Sequence, residues 1–297
     1  MNTTRCIIFN PAARGEKAAR FRPQLSRFGG YTCLPTTGPG TARDLAEQAV
    51  QNGFETIVAA GGDGTLHEVV NGIGRVVNGF AKVRVAVIPL GTVNVFAQEQ
   101  MIDGGVEQAF AVIERGREIM IDLPQITCLT KHGSEVRFFL QMAGAGLDAS
   151  AVNKVSWRLK KKVGPMAYGW AAFQALRRHQ PVLQLKMLDR SIPARWVIVC
   201  NGKFYGGRFK PCPDASYADG LLDVCVFPKL NWLTAAASAL ALLSNRPLPR
   251  SIAQLYQTRQ IDITSEVSVP VQADGELLGF LPANLSVGAT RLRVVVP

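Results

Sequence analysis

Three short stretches set carboxylates beside glycines: Gly61-Gly62-Asp63-Gly64-Thr65, Asp219-Gly220 and Asp274-Gly275-Glu276. The first could do phosphate chemistry. Backbone N–H groups of a glycine-rich loop that opens into a helix can cradle phosphate oxygens, and the helix dipole helps. Asp63 would repel that phosphate unless it holds Mg2+ or orients the ion's water shell. The third could do proton chemistry, since a carboxylate within hydrogen-bond reach of an alcohol can take its proton. In an extended Asp-Gly-Glu, Asp274 and Glu276 point to the same side, and either could face a cleft. Each stretch alone also has a plainer reading: a tight turn with Asp63 as helix cap, and water-exposed Asp-Gly turns. The usual nucleotide fingerprints, a GxxxxGKS/T loop or GxGxxG after a strand, do not occur, nor does the protein-kinase motif set.

The elements that must position these residues fall into two textures. Up to Asp122 the chain alternates: strands at Cys6–Phe9, Tyr31–Pro35, Glu55–Ala60 and Val83–Ile88, helices at Thr41–Gln51 and Leu66–Ile73, loops at Gly61–Thr65 and Pro89–Asn94, and a helix after Asn94. Such repetition predicts a parallel sheet with helices on its faces, with ligands beyond the carboxyl ends of the strands, where both glycine-bearing loops fall. After Asp122 the pattern is strand-rich and antiparallel. A hairpin is expected for Ile126–Thr130 with Val136–Met142, and a second pairing for Val182–Leu188 with Arg195–Cys200. Extended runs follow at Leu221–Phe227, Gln260–Thr264, Val267–Gln272 and Arg291–Val296, with helical insertions at Ala149–Arg178 and Trp232–Ser244. The expected organisation is an α/β domain over 1–123 and a β-rich domain over 124–297, which the family resemblance described below makes nucleotide-binding and lipid-binding in turn. A site is expected in a cleft between them, and the extreme C-terminus is free to pack back on the first domain.

Composition narrows the class. With 297 residues, 47% hydrophobic and 19% charged, the chain is globular. Lys and Arg outnumber acids 33 to 22, a net charge of +11, which favours an anionic partner. No motif supports nucleic acid. The six cysteines are scattered without a CxxC pair and read as reduced, mostly core residues. The N-terminal apolar run is too short for a signal peptide, and Leu233–Leu243 is about half the length that spans a bilayer, so a cytoplasmic protein is expected.

Taken with Ile7–Gly15 (IIFNPAARG), Pro89–Ala97 (PLGTVNVFA) and Gln272–Gly279 (QADGELLG), the GGDGT loop gives the chain a resemblance to the diacylglycerol kinase catalytic family. It resembles most the bacterial lipid kinases that share their fold with sphingosine and ceramide kinases. The motifs span nearly the full length in the family's order. GGDGT alone is less specific, because NAD kinases carry it and phosphofructokinases use a related loop. The resemblance implies a Rossmann-like α/β domain of the phosphofructokinase and NAD-kinase type, followed by a mainly antiparallel β-sandwich. It implies a lipid kinase that uses ATP and Mg2+ and phosphorylates a diacylglycerol or sphingoid-type hydroxyl.

Residue by residue, the resemblance implies that Gly61, Gly62, Asp63, Gly64, Thr65, Leu66 and His67 bind the ATP phosphates, with Asp63 near the catalytic metal. Thr92 would contact nucleotide, Asn94 would brace that edge, and Asn10 and Thr36 would line the same site. Glu276 matches the general base. Asp219 matches a structural Mg2+ ligand, completed by the carbonyls of Ser216 and Leu221, and Asp122 would support the active-site metal network. Val95 stands where the family commonly has aspartate, and His67 where it has asparagine. Partners follow in kind: a lipid substrate, with peripheral contact to an anionic membrane and a homodimer both compatible. A basic, aromatic stretch from Trp157 to Arg178 suits either an anionic leaflet or a solvated helix face. The rival readings are a soluble NAD-kinase-like enzyme and a catalytically idle nucleotide- or lipid-binding regulator.

Overall fold

The structure, a computed structural model, describes residues 4–14, 17–102, 105–147, 149, 181–188, 190–244 and 246–297. The insertion expected over 149–178, with its basic and aromatic residues, lies outside them but for Ala149. Two compact units divide the chain: one runs to Leu123 and takes in Ala289–Pro297, the other is Pro124–Gly288.

The first unit is built on six strands: β1 (Arg5–Phe9), β2 (Thr32–Pro35), β3 (Thr56–Gly61), β4 (Arg84–Pro89), β5 (Arg117–Asp122) and the C-terminal β17 (Arg291–Val296), in the order β2-β1-β3-β4-β17-β5. All pairs are parallel except β5 with β17. The central strands are continuous apolar runs because both faces are covered; every residue of β3 is buried. Helices Thr41–Gln51, Asp63–Ile73 and Gly105–Arg115 each turn an apolar stripe inward, among them Ala46, Val69 and Phe110. Two expectations change here. The helix predicted from Leu66 begins at Asp63, so Asp-Gly-Thr is its first turn and the extended Gly62 its cap. An acid is favoured there by the helix dipole. The run Arg291–Val296 does not extend the antiparallel series; it completes this sheet beside β4, as a fully non-local pairing.

The second unit is antiparallel throughout, a sandwich-like arrangement of β6 (Gln125–Thr130), β7 (Gly133–Phe138), β8 (Met142–Ala145), β9 (Leu183–Met187), β10 (Arg190–Ala194), β11 (Trp196–Cys200), β12 (Leu222–Phe227), β13 (Gln254–Thr258), β14 (Gln260–Ser265), β15 (Pro270–Ala273) and β16 (Glu276–Ser286). The hairpin β6–β7 forms as expected, but Val136–Met142 is not one strand: β7 ends at Phe138 and β8 begins at Met142. Nor does Arg195–Cys200 pair with Val182–Leu188. Strand β9 pairs β10 and β14, and β11 pairs β8 and β12. The helix Trp232–Leu243 is present. None of the six cysteines is in a disulfide, and five of them are buried.

Candidate active site

Four parallel strands of the first unit end side by side, and each hands the chain to a site residue: β1 to Asn10, β2 to Thr36, β3 to Gly62 and Asp63, β4 to the loop through Thr92 and Asn94. The loops are stitched together there. Asn10 Nδ2 donates to Thr65 Oγ1 at 3.0 Å, and Asn10 N to Ala60 O at 2.9 Å. Thr36 N donates to Phe9 O at 2.8 Å. Leu90 N and Gly91 N both donate to Gly61 O, at 2.8 and 3.1 Å. Gly62 and Gly91 pass backbone against backbone: a Cβ on Gly91 would lie 2.5 Å from Gly62 Cα and as close to Asn94 Oδ1. Glycine is required at that crossing by contact.

Asn94 holds the second loop by both ends of its amide: Gly91 N donates to Oδ1 at 2.9 Å, and Nδ2 donates to Gly91 O at 3.0 Å. It does so in the left-handed region, at φ 56°, which asparagine tolerates better than most side chains. Asp63 joins the loops, its Oδ1 accepting from Phe96 N at 3.4 Å, at the start of the helix Val95–Glu99. The side chains of Leu66 and His67 turn inward; His67 is buried, with Nε2 3.3 Å from Asn71 Nδ2. Their backbone, as part of the helix's first turn and a half, is what lies toward the strand ends. Thr92 is exposed on its loop.

Two residues here were given no role in the sequence reading, although Arg14 lies within the Ile7–Gly15 stretch. Arg14 Nε donates to Gly91 O at 2.8 Å, tying the loop after β1 to the loop after β4. Glu68 caps the neighbouring helix, accepting from Gly40 N at 2.8 Å and Ala42 N at 3.1 Å. One residue is not brought to this edge. Asp122 ends β5, whose partner β17 runs parallel to β4, so the register sets Asp122 beyond the amino end of β4, at the opposite end of the sheet from Asp63. It is buried and ion-paired there with Arg291 Nε at 3.0 Å. That placement sets Asp122 apart from the loops at the strand ends.

In the second unit, Asp274-Gly275-Glu276 is not extended. Asp274 and Gly275, at φ 50° and 82°, are the two central residues of the hairpin turn between β15 and β16. Positive φ at both is the demand of a type I′ turn, which Asp-Gly meets well. The turn separates the two acids. Asp274 Oδ2 accepts from Leu140 N at 2.9 Å, and Oδ1 from Gln141 N and Met142 N at 2.8 and 3.1 Å. Its carboxylate is thus committed to backbone, while Glu276 stands exposed at the head of β16.

Ser216, Asp219 and Leu221 share one loop before β12, where Leu221 N donates to Asp219 Oδ1 at 2.9 Å and Gly220 takes φ 70°. The donors this loop offers are hard oxygens, a carboxylate and carbonyls, which suit Mg2+. Nearby charge argues the same way. Asp223 is 8% exposed; Gln257 Nε2 donates to its Oδ1 at 3.1 Å, and its Oδ2 is buried with no hydrogen-bond partner. Burial foremost, and the carboxylates of Asp219 and Asp214 after it, push the Asp223 carboxyl above the usual range, against the Gln257 bond that lowers it. A buried carboxylate oxygen with no partner, near an oxygen-donor loop, fits a divalent cation. Among the described residues no three His, Cys, Asp or Glu side chains cluster as a metal site. A cation would therefore be held by one or two carboxylates with carbonyls, water and phosphate, the usual habit of Mg2+.

Comparison with known proteins agrees with both units. Residues 4–126 match the diacylglycerol kinase catalytic domain, and residues 141–296 match the YegS C-terminal NAD kinase beta sandwich-like domain. A Staphylococcus aureus protein named diacylglycerol kinase is 30% identical over 287 residues, 94% of this chain and 87% of that one. One from Staphylococcus epidermidis is 29% identical over the same span. The fold is shared with a crystal structure from Bacillus anthracis str. Sterne, with a TM-score of 0.76 at 20% identity over 98% of this chain and 94% of that one. A diacylglycerol kinase structure from the same organism has a TM-score of 0.71 at 17% identity, covering 100% and 98%. A diacylglycerol kinase catalytic domain on a parallel sheet, followed by this antiparallel unit, defines an enzyme of the lipid kinase class. The chain belongs to the diacylglycerol kinase family.

Proposed function

We propose that the chain transfers the γ-phosphoryl group of ATP, with Mg2+, to a lipid hydroxyl, diacylglycerol being the first acceptor to test. The observation that carries this reading is the loop cluster at the strand ends, where Asp63 opens a helix at the contact of Gly62 with Gly91. The first unit serves as the nucleotide-binding part, with Gly61–Thr65 and the backbone of Leu66 and His67 receiving the phosphates. Asn10, Thr36, Thr92 and Asn94 form the rest of that edge. Asp63 would hold Mg2+ with the triphosphate, and Asp219 with the carbonyls of Ser216 and Leu221 would hold a structural ion. The ion held by Asp63 would supply neutralisation of the phosphate charge. Glu276 takes the proton of the lipid hydroxyl; its exposure, against the engagement of Asp274 by three N–H groups, supports that choice. The second unit receives the lipid. The net charge of +11 supports contact with an anionic surface, and no helix among the described residues is long and apolar enough to cross a membrane.

The test is transfer of labelled γ-phosphate from ATP with Mg2+ into diacylglycerol, monoacylglycerol, sphingosine, ceramide and phosphatidylglycerol in mixed micelles, with NAD in a parallel tube. A labelled lipid is expected, and its label should disappear on chelation. Labelled NAD in its place would move the assignment to the soluble rival. Nucleotide binding without any product would favour the idle regulator.

A further inference from the structure

The turn that carries Glu276 is held by a chain of hydrogen bonds that reaches the loop of Asp219, all within the second unit. It begins at Asp274. The three N–H groups on its carboxylate belong to Leu140, Gln141 and Met142, 132 to 134 residues away in sequence, and Asp274 N donates back to Met142 O at 2.8 Å. Gln141 carries the chain onward. Its side chain is 5% exposed; Nε2 donates to Phe204 O at 2.9 Å, and Oε1 accepts from Tyr217 Oη at 2.5 Å. Tyr217 lies between Ser216 and Asp219. The relay is braced on both sides. Asn201 N and Gly202 N donate to Gln141 O at 2.9 and 3.1 Å, and Asn201 Nδ2 donates to Leu140 O at 2.8 Å. A side chain on Gly202 would overlap both the Tyr217 hydroxyl and the Gln141 amide, so glycine there leaves room for their bond. On the turn itself, Gly275 N donates to Gln272 Oε1 at 3.0 Å, and Gln272 is 2% exposed.

A hairpin turn needs none of this to close. Asp-Gly satisfies a type I′ turn locally, and strand pairing of Ala273 with Glu276 already sets its register. What the relay adds is a fixed direction: the turn can neither rock nor slide while three N–H groups hold one carboxylate. A base must sit within a few tenths of an ångström of its working geometry, and such placement comes from a supporting shell of buried bonds.

We propose that Asp274, Gln141 and Tyr217 are positioning residues for Glu276, forming a half-buried relay that fixes the base-bearing turn against the loop of Ser216, Asp219 and Leu221. The inference rests on the reading of Glu276 as general base. Tyr217→Phe removes one hydroxyl, keeps the ring and leaves Gln141 Oε1 without that donor. Asp274→Asn keeps the size of the side chain but sets an amide N–H2 against a backbone N–H.

The experiment measures kcat and KM for ATP with diacylglycerol in mixed micelles for wild type, Tyr217→Phe, Asp274→Asn, Glu276→Gln and the double variant Tyr217→Phe/Glu276→Gln, with thermal melts of each. Tyr217→Phe is expected to lower kcat about tenfold and leave KM for ATP unchanged, with Asp274→Asn larger in the same direction. In the Glu276→Gln background Tyr217→Phe should cost nothing further, because a relay that acts only through Glu276 has lost its object. Should Tyr217→Phe leave kcat unchanged, or cost the same factor with and without Glu276, the relay is overturned and the base reading survives. Should Glu276→Gln itself keep wild-type kcat, the base reading falls and the relay with it. The melts keep a folding defect in Asp274→Asn from being counted as support, since the deciding comparison is between folded Tyr217→Phe proteins with and without Glu276.

Discussion

The two units carry site residues by different means. In the first, the candidate residues follow the carboxyl ends of adjacent parallel strands, and the loops that hold them touch backbone to backbone at Gly62 and Gly91. In the second, the candidate base sits on a two-residue turn whose placement depends on a carboxylate bonded to N–H groups 132 to 134 residues away. One site is a product of topology, and any parallel sheet offers its strand ends to a ligand. The other is a product of individual side chains, and nothing in an antiparallel hairpin demands it. The contrast follows the chemistry proposed for each: phosphates are held by many N–H dipoles, whereas a base must be aimed.

That comparison can be broken at the glycine crossing. Gly91→Ala puts a methyl group 2.5 Å from Gly62 Cα, so one loop must move. A displacement near an ångström at a positioning site costs about 100-fold, and kcat/KM for ATP should fall by that order with the second unit unaffected. Steady-state kinetics beside circular dichroism checks it. Full activity in Gly91→Ala would mean that the loop contact does not shape the site.

A smaller effect sharpens the contrast within one sheet. At the amino end of β1, Arg5 Nη1 donates to Glu114 Oε1 at 2.8 Å, and Tyr31 Oη donates to the same oxygen at 2.6 Å. The Tyr31 hydroxyl bond first, and then Arg5, hold the Glu114 carboxyl below its usual range, while partial burial opposes them. A depressed carboxylate stabilises the fold above its unfolded value, and that contribution is lost as pH falls through the folded one. The group is 45% exposed, so solvent screens the gain to below about 1 kcal/mol. Glu114→Gln should therefore lower the melting temperature slightly at neutral pH, with the difference closing in acid, and should leave turnover unchanged. Lost turnover would mean that the two ends of the sheet are not independent.

The same contrast explains what was legible in the sequence. Strand and helix alternation, the strand-end position of GGDGT and PLGT, and the antiparallel texture after Asp122 are local patterns, and all three appear in the fold. The helix start at Asp63 was half legible: the plainer reading of Asp63 as helix cap comes within one residue of it, whereas the flanking glycines look like loop. Strand β16 was hidden, and the place of β17 beside β4 was legible only as a C-terminus free to pack back on the first domain, because strand partners are chosen by tertiary packing. Asp122 carried a junction position in the sequence but no sign of Arg291, 169 residues away. Asp274 was legible as a turn and illegible as an anchor, since Leu140 to Met142 contribute only backbone. Gln141 and Tyr217 have no motif at all.

On the proposed reading Asp63 and Glu276 divide the labour, Asp63 in nucleotide binding and Glu276 in proton removal. Calorimetric binding of Mg·ATP measured beside turnover for Asp63→Ala and Glu276→Gln tests it most directly. Asp63→Ala is expected to lose both affinity and turnover, whereas Glu276→Gln should bind Mg·ATP as wild type does with kcat reduced at least about 100-fold. Wild-type turnover in Glu276→Gln, or unchanged nucleotide affinity in Asp63→Ala, would contradict it.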